Sequence, residues 1–94
     1  MDTEWTAWDP ADDIDSFEDV VLYLNAILEE DPALLPQALG DIARSKGMSE
    51  ISLRCGLGRE SLYKSLSENA QPRFTTIHKV LSALGLRLRI EKAS

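Results

Sequence analysis

The stretch SEISLRCGLGRESLYKSLS, Ser49 to Ser67, decides the fold. Its spacing predicts a short helix from Ser49, as cap, to Cys55, a tight turn at Gly56-Leu57-Gly58, and a second helix from Arg59 to about Leu66. Ile51, Cys55, Leu57 and Leu62 take the apolar positions where two such helices touch, and Ser52 is the small residue four before Gly56. This is the pattern of a helix-turn-helix, which holds two helices at a fixed angle so that the second enters the major groove of DNA. On the second helix Leu62 and Leu66 share one face, and Arg59, Glu60, Tyr63 and Lys64 share the other. Arg is the commonest reader of guanine, Lys and Tyr suit phosphate contacts, and Glu can accept from a cytosine amine. A plain amphipathic helix with a solvated charged face has the same spacing. Arg, Tyr and Lys together just after a glycine turn favour DNA. The candidate DNA-contacting residues are Ser49, Gly58, Arg59, Glu60, Ser61, Tyr63, Lys64 and Arg73. Lys46 and Arg54 flank the unit, and Arg44 and Lys79 are either further phosphate contacts or simple surface charges.

On the N-terminal side, Phe17, Val20, Val21, Leu24, Ile27 and Leu28 recur at helical spacing behind a cap at Ser16. Asp31-Pro32 reads as the start of another helix with Leu35, Leu39 and Ile42 inward, and Gly47 as its stop. Pro36 implies an irregular first turn there, or a helix that begins near Pro36. On the C-terminal side, Glu68 to Pro72 is a polar loop, and a last helix opens at Thr75 or Thr76 and stops at Gly85. Leu86-Arg87-Leu88-Arg89-Ile90 then alternates apolar and basic residues, the pattern of a short strand over about 86–91. Nothing else in the chain pairs with such a strand. The same strand of a second subunit is therefore the expected partner, with Leu86, Leu88 and Ile90 at the dimer core; the alternative is a frayed tail. Residues 1–15 lack helical periodicity and read as an acidic arm, leaving 16–94 as one domain.

The chain has 94 residues and a net charge of −6, which looks wrong for a nucleic-acid binder until it is divided. Residues 1–31 carry 11 acids and no Lys or Arg, whereas the rest carries 5 acids and all 10 bases, a balance of +5. The basic part contains the helix-turn-helix. No apolar run approaches the roughly 20 residues needed to span a bilayer, and the acidic start does not resemble a signal peptide. With Cys55 as the single cysteine, no internal disulfide is possible, and a cytoplasmic location is expected. His78 is the single histidine and sits in the last helix; Cys55 fills an apolar slot. No metal-ligand set, cofactor motif or phosphate loop is recognisable, so no enzyme activity and no cofactor are expected.

Four stretches also carry a family resemblance: WDPADDI at 8–14, YLNAILEEDPALLPQALGDIARSKGMS at 23–49, GRESLYKSLS at 58–67 and PRFTTIHKVLSALGLRL at 72–88. Together they cover nearly the whole chain. It resembles the antidote (antitoxin) proteins of addiction modules, the HigA-like branch of the xenobiotic-response (Cro/C1-type) helix-turn-helix group. The resemblance implies an all-α, lambda-repressor-like bundle of about five helices, here with a short C-terminal dimerising strand. It also implies binding of a small basic RelE/ParE- or HigB-like toxin, and repression of its own operon through double-stranded operator DNA as a homodimer. Glu50 stands where many relatives carry Gln, an acid where a phosphate contact is usual, and Gly58 replaces the usual Ser cap. Trp5 and Trp8 are candidate anchors on a toxin, or cover for the protein's own core. Three readings stay open: an antitoxin that represses its operon, a prophage-type repressor without a toxin, and a toxin-binding module that has lost DNA binding.

Overall fold

Apolar residues at helical spacing with two carboxylates in the first turn produce α1, Phe17–Glu30, which turns Val20 and Leu24 inward. A computed structural model describes residues 17–93. The cap expected at Ser16 and the anchors expected at Trp5 and Trp8 lie outside the described residues. At the end of α1 the chain tightens into a 3-10 turn, Pro32–Leu34, and α2 follows as Leu35–Lys46. Pro36 sits in the first turn of α2, where an N–H has no helical acceptor to lose, so the helix proper begins near Pro36, as the second of the two sequence readings had it. Leu39 and Ile42 of α2 are fully buried.

Gly47, at φ +113°, ends α2 and at once begins α3, Met48–Cys55. Ser49 is therefore not the cap of this helix. It lies within the first turn, and the cap position belongs to Gly47, which offers no side-chain hydrogen bond. Met48 is buried, so the helix begins where that side chain enters the core. The helix closes at Gly56, in the left-handed region at φ +72°, where a side chain would strain the backbone. The Ser52 hydroxyl donates to the Leu57 carbonyl and ties the turn back to α3. Gly58 is extended and precedes α4, Arg59–Ser65. The last helix, α5, runs Phe74–Ala83. It begins slightly earlier than the threonines suggested, because Arg73 is the extended residue and its carbonyl accepts from Thr76 and Ile77 at 3.0 and 3.1 Å.

After α5 the Gly85 and Leu86 amides donate to the carbonyls of Ser82 and Leu81 at 3.0 and 2.8 Å, a Schellman ending that projects the chain away from the helix axis. The strand expected over about 86–91 is not formed: residues 86–93 have no regular secondary structure. A strand requires a neighbouring strand for its ladder, and the described part of a single chain contains none. Leu86 packs against the core, whereas Leu88 is 37% exposed and Ile90 98% exposed.

The described residues form an all-helical bundle whose core takes side chains from every helix: Val20 from α1, Leu39 and Ile42 from α2, Ile51 from α3, Leu62 from α4 and Val80 from α5. One close approach decides how α4 is seated. Gly40 is buried in α2, and a Cβ at this position would overlap the main-chain carbonyl oxygen of Leu66. Only a glycine lets α2 pass this close beneath the end of α4.

Candidate nucleic-acid interface

The helix pair α3 and α4 is held from below. Ile51, Cys55, Leu62 and Leu66 are buried and Leu57 packs against them, as the apolar spacing required. With Leu62 and Leu66 locked inward, helical geometry turns Arg59, Glu60, Ser61, Tyr63 and Lys64 out to solvent, and all five are exposed. The Arg59 guanidinium lies 5.9 Å from the centroid of the Tyr63 ring, one helical turn away. The aromatic face thus orients the cation before any partner arrives. Lys64 is exposed one position further on, and its main-chain carbonyl accepts from the Ser67 hydroxyl at 2.9 Å, which closes the end of α4.

Around this helix the charges are less free than the sequence implied. Glu50 is not an isolated acid, because Arg54 Nε donates to its Oε2 at 2.9 Å one turn along α3. The pair offsets the repulsion that a lone carboxylate would exert on a phosphate. Arg44 is engaged by Asp41 at 2.7 Å and is the weaker of the two extra phosphate candidates. Ser49, Gly58 and Arg73 are all exposed, Gly58 and Arg73 as the residues immediately ahead of α4 and α5. The structure brings Gly58 to Lys64 together as one surface, while Leu86, Leu88 and Ile90 lie on the separate C-terminal segment.

The other chemically notable residues take structural places. Cys55 is buried, its thiol donating weakly to the Lys79 main-chain carbonyl at 3.6 Å. Burial pushes the thiol pKa up and the nearby Lys79 charge pulls it partly back, so the neutral, poorly nucleophilic form is favoured. His78 is exposed and packs against Phe74, ring centroids 6.1 Å apart. Among the described residues no group of three or more His, Cys, Asp or Glu is placed to hold a metal ion, and no helix is long and apolar enough to cross a membrane.

Sequence reasoning missed two features. Gly40 carried a signal, because a glycine inside a helix costs about 1 kcal/mol relative to alanine and its presence asks for a packing reason. A groove of about 790 Å³ between the 3-10 turn and α5, lined by Leu34, Leu35, Pro72, Phe74, Ile77 and Leu88, carried none, since its walls come from distant parts of the chain.

The sequence profile of the family described as "Probable addiction module antidote protein" matches residues 4–92. The chain belongs to this family. The chain is also 45% identical over 87 residues to an uncharacterized protein of Haemophilus influenzae, covering 92% of this chain and 90% of that one. No solved structure matches it significantly. The family match runs through α1 to α5 and into the C-terminal segment.

Proposed function

We propose that this antidote neutralises a small basic toxin by direct binding and represses its own operon, with α3, the glycine turn and α4 acting as a DNA-reading helix-turn-helix. The observation that carries the DNA half is the outward set Arg59, Tyr63 and Lys64 on a helix whose other face is locked by Leu62 and Leu66. Arg59, already stacked on Tyr63, is the base reader in this scheme; Lys64 and Arg73 contact phosphates. The reading places the protein in the HigA-like, xenobiotic-response branch, working in the cytoplasm without enzymatic activity of its own, on a RelE/ParE- or HigB-like toxin. The rival reading, a toxin binder that no longer touches DNA, rests on Glu50 and on the overall acidity, and the Arg54 partner weakens the first of these grounds.

The active form is a homodimer joined through the exposed Leu88 and Ile90, while Leu86, expected from the sequence at the same interface, packs on its own core. Its two α4 helices then sit about 34 Å apart, one turn of B-DNA, and read a palindrome. The test of DNA binding is the double substitution Arg59→Ala, Lys64→Ala in titrations against the protein's own promoter fragment. Removing the base reader and one phosphate contact is expected to weaken binding at least tenfold and to lower the salt slope by roughly 0.9, the share of the Lys64 phosphate contact. Unchanged affinity with an unchanged slope would contradict the assignment.

A further inference from the structure

The surface of α1 that faces away from the core has an unusual make-up. Val20 and Leu24 are buried, but Leu22 is 68% exposed and Tyr23 45% exposed. At helical spacing Leu22 adjoins Glu18, Asp19 and Ala26, with Glu29 two turns away on the same side. Glu18, Asp19, Ala26, Glu29 and Glu30 are all exposed as well. An apolar centre of Leu22 and Ala26, with Tyr23 at its edge, is therefore rimmed by carboxylates. The helix itself contains four acids and no basic residue.

That composition selects its occupant. DNA is repelled by the rim. A second copy docked symmetrically through the same face would set the same carboxylates against each other. A protein surface that is basic around an apolar pocket fits on both counts, with Leu22 as the anchor, Tyr23 as the amphipathic edge, and the acids steering encounter. The face is also built apart from α4, because α1 packs mainly on α2 and the 3-10 turn, while α4 packs on α3.

We propose that the outer face of α1, centred on Leu22 and Tyr23 and rimmed by Glu18, Glu29 and Glu30, is the docking surface for the basic toxin. This rests on the toxin-neutralising reading above and names the surface that carries it.

The test uses the full-length chain and, as probe, the product of the adjacent gene in the same operon. Calorimetric affinities are measured for the wild type, for Leu22→Ser, for Glu18→Lys with Glu29→Lys, and for Arg59→Ala with Lys64→Ala. Circular dichroism checks that every variant is folded, and promoter binding checks the two α1 variants again. Both α1 variants are expected to bind the probe at least tenfold more weakly, the charge-reversed one with a shallower salt dependence, and the α4 variant to bind as the wild type does. If the wild type binds and both α1 variants bind equally well, the surface is wrong and the toxin-binding reading stands. If Leu22→Ser changes self-association by light scattering without changing probe affinity, the face belongs to a second copy and the proposal is overturned. If the wild type does not bind the probe, the toxin-binding reading fails and takes this proposal with it.

Discussion

Single residues set the geometry of α4 in two ways. Leu62 and Leu66 fix which face of α4 is outward, and Gly40 fixes how near α2 lies to its end. The first was legible in the sequence, because a 3.6-residue apolar period reports which side chains face the core. The second was not, because a pattern of side chains says nothing about a residue that has none; the need for glycine arises from where another part of the chain passes. Gly40→Ala separates these effects. In an open helix the change gains about 1 kcal/mol. Here the new methyl meets the Leu66 carbonyl, and overpacking of this sort costs roughly 1–3 kcal/mol. A lowered urea midpoint is expected, together with weaker promoter binding as the end of α4 shifts. A raised midpoint would show that α2 does not pass this close. Glu50 teaches the complementary point: its charge was read correctly, but its meaning depended on Arg54, one turn away on the same helix.

Among the elements, the existence of all five helices could be read from apolar spacing, and their ends less well. Ser49 looked like a cap because serine is a favoured capping residue, yet the helix starts at Met48 because that side chain is buried. Likewise α5 starts at Phe74 rather than at a threonine. The C-terminal segment differs in kind. Its alternation of apolar and basic residues is plain in the sequence, and the single chain leaves it without regular structure because its ladder partner is absent from the described residues. On the dimer reading, the exposed Leu88 and Ile90 are covered only in the assembly. Leu88→Glu with Ile90→Glu leaves Leu86 in the core and is expected to convert a dimer to a folded monomer in light scattering, with promoter affinity reduced more than tenfold. A dimer that survives the pair of substitutions, or a wild type that is already monomeric, contradicts the assignment.

Over the whole chain, charge is unevenly divided. The helix that opens the described part of the chain has four acids and no base, and the helix pair that ends at Ser65 carries its cations outward. The division was visible in the sequence as 11 acids and no bases in residues 1–31. What the sequence could not supply was depth: only the fold shows that Val20 and Leu24 hold α1 against the core while Leu22 faces out. On the proposed function one domain has two working surfaces, one for operator DNA and one for a basic toxin, and neutralisation is a binding event separate from repression. The most direct measurement is growth after induced expression of the adjacent gene, alone and with this chain supplied from an unrelated promoter. Arrest is expected when the adjacent gene is expressed alone, and restored growth with the wild-type chain or with its Arg59→Ala, Lys64→Ala variant. Absence of arrest, or arrest that the wild-type chain does not relieve, would contradict the proposed function.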